Sequence, residues 1–436
     1  MDERRKIAVI GSGVAGLTAA HVLAKADHVT LFEAADRLGG HAHTHRVELD
    51  SGVAVNVDTG FIVHNDRTYP TLLRLFDELE VATQDSDMSM SIRSAASGLE
   101  YAGARGGRGL FPTVRNLARP RFLRMLLEVK RFHREASAVL ARPETETDPE
   151  TLGAFRARLG FSRYFEDNFL TPLVAAVWSC DPGTAPQYPA RYLFTFLEHH
   201  GMLSVFGSPT WRTVTGGSAR YVEKVAAGLD EVLAGTPVRQ IVRTADGVRV
   251  VADGVDRHFD AAVIALHPRH ALALLADPSA LETAVLQDIP YSSNHAILHT
   301  DESLLPLAAG ARASWNYLIP AGTSDARGVI VTYDMTRLMR LDSVTDRRFL
   351  VTLGGAHLVD PATVLAEMDY EHPIFTPTSV AAQARLADLN SDTVAFAGAY
   401  HGWGFHEDGA LSGLRAAERL GGSWAGPALS AGQEGP

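Results

Sequence analysis

The chain has 436 residues, 46% of them hydrophobic and 21% charged, with a formal net charge of −11. Such a length can bury a large core and suggests two to three domains, while the acidic balance argues against a general nucleic-acid binder. The single cysteine, Cys180, excludes an internal disulfide and suits a reducing compartment.

In chain order, residues 6–10 (KIAVI) form a short apolar run that reads as a strand. Gly11-Ser12-Gly13-Val14-Ala15-Gly16 follows. Small and apolar residues then recur at helical spacing over 17–23, a second apolar run covers 29–32, and Glu33 ends it. Strand, glycine turn, helix, strand and acid make the dinucleotide-binding βαβ pattern. Gly11 permits the tight turn, Gly13 lets the backbone approach a pyrophosphate, and Gly16 lets the helix lie close to the sheet. The helix N-terminus offers N–H groups and a positive dipole end to phosphates, and Glu33 is placed to accept both ribose hydroxyls. Strand-forming residues from Lys6 leave no room for a signal peptide, and no apolar run reaches the about eighteen residues of a membrane span, so a cytoplasmic protein is expected.

Residues 71–82 read as an amphipathic helix and 114–140 as a strongly helical stretch. The polar, acidic, proline-bearing segment 141–151 reads as an exposed loop, and 152–205 as mainly helical. Gly216-Gly217 precedes a helix over 219–229, followed by strands over 238–243, 248–252 and 258–266. Alternation over 286–370 predicts antiparallel strands; 394–398 is one more buried strand, and a helix covers 413–420. Two discontinuous domains are expected: a dinucleotide domain of 1–70, 210–285 and 386–424, and a cap or substrate domain of 71–209 and 286–385. The tail 425–436 is expected to be disordered.

Just past Glu33 stands Arg37-Leu38-Gly39-Gly40-His41-Ala42-His43-Thr44. It resembles the R-x-G-G-R-x-x-[ST] segment of flavin amine oxidases and phytoene-desaturase-like enzymes. His41 stands where arginine is usual, which weakens a charge-assisted phosphate contact. Phe396-Ala397-Gly398 and Asp408-Gly409-Ala410-Leu411-Ser412-Gly413 resemble the C-terminal flavin motif of the same enzymes. The resemblance implies an α/β fold with a Rossmann-like, GR2-type FAD domain, a mixed α+β cap domain and non-covalent FAD. It implies cofactor contacts at Gly11, Gly13, Val14, Ala15, Gly16, Glu33, Ala34, Arg37, Gly39, Gly40 and His41. Further contacts are implied at Thr59, Gly60 and Phe61, at the Val238 backbone beside the adenine, and at Gly398, Asp408, Gly409, Ala410 and Ser412. A helix starting near Gly409 is expected to aim its N-terminus at the flavin and stabilise negative charge on the reduced ring.

Four longer segments narrow the resemblance: GHAHTH with DTGFIVHNDRTYP, AAVWSC, HHGMLSVFGSPTWRTVTGGSARYV and GAYHGWGFHEDGALSG. They are similar to the flavin-oxidase-like domain fused to plant cyclopropane fatty acid synthases and to its free-standing bacterial relatives. This implies hydride transfer to flavin N5 from a fatty acyl chain, by desaturation or double-bond isomerisation. Two alternatives stand beside it: an oxidase of amines or secondary metabolites, and an FAD-bound, non-catalytic partner of an S-adenosylmethionine-dependent fatty acyl methyltransferase.

His41, His43 and His45 alternate, so a strand would turn all three to one side; a metal site, a role beside the flavin ring and simple packing all fit the spacing. No cysteine or carboxylate partner stands at ligand spacing, so no metal is expected. Aligned with the strand that carries the amine-oxidase lysine, 291–300 places His295 at the lysine position, and no lysine follows Lys224. Tyr400, His401, Trp403 and His406 crowd the C-terminal motif and are the other candidate catalytic residues, either lining the flavin for an apolar substrate or packing under a loop. Cys180 reads as a buried structural thiol. Residues 114–134 hold seven Lys/Arg and one Glu among apolar residues. That composition suits either a peripheral contact with the inner membrane face or a cap helix with a solvated side.

Overall fold

A computed structural model describes residues 4–143, 150–178, 183, 185–203, 209–321 and 330–424. The chain divides into two compact units, one drawn from 1–40, 222–287 and 385–436, the other from 41–221 and 288–384.

The first unit is built on a parallel five-stranded sheet. Its order is Glu231–Leu233, His28–Phe32, Lys6–Ile10, Ala261–Ile264 and Val394–Phe396. Ile7, Ala8, Val9, Val29, Leu31, Val263 and Ala395 are fully buried, the continuous apolar reading of strands covered on both faces. The first helix (Val14–Leu23) makes the crossover between the Lys6–Ile10 and His28–Phe32 strands. Beside this sheet stands an antiparallel meander of Val238–Arg243, Val248–Ala252 and Val255–Phe259. The strand expected over 258–266 is thus two strands belonging to different sheets. Asp260 separates them, its N–H bonded to the Lys6 carbonyl.

The second unit holds a seven-stranded sheet ordered Val364–Pro373, Tyr291–His299, Leu350–Leu353, Val331–Asp334, Trp315–Ile319, Met90–Ser94 and Leu99–Gly103. Neighbours are antiparallel except Trp315–Ile319 with Met90–Ser94. Its helices include Pro70–Glu78, Pro120–Leu140, Leu152–Leu159, Thr171–Trp178 and Ala190–His199. Phe132 is fully buried at the centre of an aromatic cluster, its ring 5.6–6.3 Å from those of Phe155, Phe161, Phe165, Phe169 and Phe194.

The division falls after 40 and 221 rather than at the expected 70 and 210. Residues 44–58 pair as the hairpin Thr44–Glu48/Ala54–Asp58, and His64–Asn65 joins Trp211–Val214 and Thr83–Asp85 in a small sheet, so strand pairing carries 41–70 into the second unit. The stretch expected to be helical over 114–140 divides into a short turn, Val114–Asn116, and the helix Pro120–Leu140, which Pro120 opens at a position where the missing N–H costs nothing. Cys180, most of the 141–151 loop and the 425–436 tail lie outside the described residues. No helix among the described residues is long and apolar enough to cross a membrane.

Candidate cofactor and catalytic site

In the first unit the Lys6–Ile10 strand runs into Gly11, whose φ of +99° suits glycine alone. A Cβ there would stand 2.5 Å from the Ala265 carbonyl oxygen, and one on Gly16 would stand 1.9 Å from the Gly11 carbonyl oxygen. On Gly13 it would meet nothing within 4 Å. The turn is packed inside and open at Gly13. No side chain caps the first helix, whose first-turn residues Val14, Ala15 and Gly16 have no intrahelical acceptor for their N–H groups.

Glu33 is already oriented. One carboxylate oxygen accepts the Ser12 N–H at 3.0 Å and the other the Ala35 N–H at 2.9 Å. Gly39 donates its N–H to the Ser12 carbonyl at 3.1 Å and hydroxyl at 3.0 Å, which brings the segment through exposed Ala34 and Arg37 back to the glycine turn at Gly40. Val238 opens its strand beside a slip in the ladder between Val238 and Gln240, a break in pairing where backbone groups can serve a ligand. An open cradle at Gly13 and a fixed acid at Glu33 fit a dinucleotide, phosphates at the helix N-terminus and ribose at the carboxylate.

The last helix is His406–Arg419, so it starts at His406 rather than at 413 or near Gly409. The Asp408 carboxylate accepts the Phe405 N–H at 2.8 Å and organises that start. Burial raises its pKa to about 7. Gly398 donates its N–H to the Ser412 hydroxyl at 2.9 Å, and Ser412 donates to the Gly409 carbonyl at 2.8 Å. Ala410 is fully buried. Tyr400 is 1% exposed, its ring 4.8 Å from that of His401, and a Cβ on Gly398 would overlap it. Burial, with Arg415, pushes His401 down to about 4. Tyr400 and His401 are packed within this unit; Trp403 and His406 are half-buried at the start of the last helix.

In the second unit, the His41 carbonyl accepts the Phe61 N–H at 2.7 Å and the His43 carbonyl accepts the Thr59 N–H at 2.9 Å, extending the 44–58 hairpin. Gly60 is required there, because a Cβ would lie 2.2 Å from the His41 carbonyl oxygen. The Tyr370 hydroxyl lies 3.0 Å from His43 Nδ1 and 2.7 Å from the Thr59 hydroxyl. The His41 ring packs 5.0 Å from that of Tyr370 and 5.4 Å from that of His372, while the rings of His43 and His45 are 4.1 Å apart. His41 and His43 precede the strand itself, yet the His43 ring meets both His45 and Tyr370, and the His41 ring meets Tyr370 as well.

His295 is not part of this cluster. In the ladder Asn294 faces Tyr370 and His295 faces Asp369, so the two side chains project to opposite sides of the sheet. Asn294 Nδ2 lies 2.9 Å from His372 Nδ1. His295 is exposed instead, 2.9 Å from the Asp369 carboxylate and 3.4 Å from that of Glu367. Sequence reasoning missed Tyr370 and His372. Their signal was the period of two in EMDYEHP, where Met368, Tyr370 and His372 share a side and the acids Glu367, Asp369 and Glu371 take the other. It also passed over Asp58, fully buried, which accepts bonds from the Thr44 hydroxyl and from the N–H and hydroxyl of Ser218. Burial raises Asp58 to about 6.

His64, also of this unit, is fully buried among Phe61, Tyr69 and Phe76, and neither ring nitrogen has a hydrogen-bond partner among the described residues. Burial, then the Arg212 charge, lowers its pKa from 6.5 to about 4. The unfolded chain therefore takes up a proton that the folded one refuses. The stability held by neutral His64 is complete above about pH 6.5 and is lost as pH falls toward 4. Raised Asp58 and Asp408 act oppositely, losing stability as pH rises through the same window, so the test is a difference between proteins. His64→Phe should spare the chain roughly 2 kcal/mol of the loss between pH 7 and pH 5, read from urea midpoints. Equal losses in both proteins would mean that His64 is not held neutral.

The model of the flavin containing amine oxidoreductase family matches residues 14–421. A Mycobacterium tuberculosis protein described as the flavin-containing monoamine oxidase AofH is 28% identical over 279 residues, 62% of this chain and 59% of that protein. The chain thus spans about 59% of the length of the curated relatives it matches first. Among solved structures, cyclohexylamine oxidase from Brevibacterium oxydans IH-35A superposes with a TM-score of 0.69 at 18% identity, covering 96% of this chain and 98% of that one. A fatty acid isomerase from P. acnes superposes at 0.68 with 15% identity, covering 96% and 99%. Both show that the α/β fold is shared. With the glycine cradle, Glu33 and the C-terminal motif in place, the chain belongs to the flavin-containing amine oxidoreductase family, with FAD as its cofactor.

Proposed function

We propose that this oxidoreductase acts on a fatty acyl chain, free or in phospholipid, introducing or moving a double bond at the cytoplasmic surface of a membrane. One observation carries the reading. The inward position of the Tyr291–His299 strand holds Asn294, beside His372 and opposite Tyr370, and no lysine follows Lys224 anywhere in the sequence. The chain therefore lacks the lysine that the resemblance places on this strand in amine oxidases. The fold also serves the fatty acid isomerase named above, which supports the substrate class by analogy alone.

When bound, non-covalent FAD supplies the hydride acceptor, and the hydride donor where a double bond is only moved. Val14, Ala15 and Gly16 would hold its pyrophosphate and Glu33 its ribose, with Val238 at the adenine. Within the second unit, one cluster is built to hold a proton. Tyr370 Oη sits between His43 Nδ1 and Thr59 Oγ1, so a proton at Oη can pass to or from the imidazole without new contacts. Asn294 fixes the His372 ring through Nδ1. His41 packs against both rings, so the cluster is ordered before substrate arrives.

Tyr370→Phe should keep FAD and fold but lower the rate of anaerobic flavin bleaching by lipid about 10²-fold. An unchanged rate would remove Tyr370 from the chemistry. The 28% identity to AofH favours an amine substrate as the second reading; it would be established by hydrogen peroxide release with amines and none with lipids. Flavin that no lipid bleaches, in a protein that speeds an acyl methyltransferase on mixing, would establish a non-catalytic partner.

A further inference from the structure

The long helix Pro120–Leu140 has two opposed faces. Phe122, Met125, Phe132 and Ala136 are fully buried on one. Leu123, Leu127, Lys130 and Arg134 follow one another at helical spacing on the other and are all exposed. Leu127 is 67% exposed, and the turn before the helix adds Val114 at 82% and Leu117 at 58%. Four of the nine exposed large hydrophobic residues among those described thus fall within fourteen positions, too concentrated for ordinary scatter.

The charge on this face has one sign. Arg115, Arg124 and Lys130 are exposed. The only acid between 114 and 134, Glu128, is buried and turned inward, accepting the Ser162 N–H at 2.9 Å and hydroxyl at 2.6 Å. Arg124 approaches Glu128 only at 3.9 Å and its side chain stays 70% exposed. Arg134 is paired with Glu135 and is not counted. A cationic, leucine-bearing face on a chain of net charge −11 has an anionic, apolar complement.

We propose that the face made by Val114, Leu117, Leu123 and Leu127, rimmed by Arg115, Arg124 and Lys130, docks this protein on an anionic lipid bilayer. The leucines enter the boundary between headgroups and acyl chains, and the guanidinium and ammonium groups meet lipid phosphates. Docking is a binding event and needs no assumption about which substrate is turned over.

The test is flotation of the FAD-loaded protein with phosphatidylcholine vesicles, with and without phosphatidylglycerol. Binding should favour the phosphatidylglycerol vesicles by about 10²-fold and fall steeply with added salt. Arg124→Glu/Lys130→Glu should abolish that preference. Leu123→Ser/Leu127→Ser should weaken binding about tenfold while keeping the salt dependence. Flavin absorbance and melting temperature should stay at parental values in both. Equal binding to the two vesicle types, or parental binding by both double variants, would overturn the proposal. So would a dimer in gel filtration that Leu127→Ser converts to a monomer, since the face would then belong to a second copy of the chain.

Discussion

Gly413→Val is expected to yield a protein purified without flavin. A Cβ on Gly413 would stand 2.1 Å from the Ala15 carbonyl oxygen, and one on Gly409 would stand 2.5 Å from Val14 Cγ1. The last helix therefore crosses the first at backbone contact, at Val14 and Ala15, two of the residues whose N–H groups are assigned to the pyrophosphate. Rotamers cannot relieve an overlap with a carbonyl of the facing helix, so the helices must separate and the cradle at Gly13 must move. Affinity for added FAD should drop by about 10²-fold or more, a loss of roughly 3 kcal/mol. Gly107→Ala is the control, because a Cβ there meets nothing within 4 Å. Titration of apoprotein with FAD separates the two variants; equal FAD affinity for Gly413→Val and the parent would mean that the crossing does not set the cradle.

Phe132→Ala should cost about 3–5 kcal/mol of stability, the largest loss expected from a single side chain away from the cofactor. Phe132 has no exposed surface, and its ring lies within 6.3 Å of five other phenylalanine rings. Phe155, Phe165 and Phe194 are themselves fully buried, and the rings of Phe155 and Phe194 are 4.8 Å apart, so they cannot close on the void cheaply. Denaturant unfolding followed by circular dichroism reads the loss. A change below about 1 kcal/mol would mean that the cluster collapses around the gap.

The cofactor end of the molecule was legible because its signals are local. Gly11, Gly13, Gly16 and Glu33 each occupy positions that strand, turn and helix geometry dictate within one βαβ unit, and the structure gives each a physical duty. The proposed proton-transfer cluster was not. Both Asn294 and His295 are polar, so alternation could not say which side of the sheet either takes, and a slip of one residue exchanges them. Only pairing with 364–373, some seventy residues downstream, makes Asn294 the neighbour of Tyr370 and His372. The start of the last helix was hidden for another reason. Gly402 and Gly404 read as a turn continuing to Gly409, while the Asp408 bond to the Phe405 N–H shows a helix already begun. The expected domain edges at 70 and 210 followed composition; strand pairing of 44–65 sets the division at 40 and 221.

The most direct test of hydride transfer from an acyl chain is an anaerobic titration of the purified protein, followed by its absorption spectrum. The oxidised-flavin band should be present on purification. Unsaturated phospholipid or free fatty acid should bleach it, or turn over without net bleaching to a chain whose double bond has moved. Amines should leave it unchanged. Bleaching by amines with no effect of any lipid would contradict the acyl-chain account. A colourless protein that stays colourless after refolding with FAD would contradict the cofactor assignment beneath it.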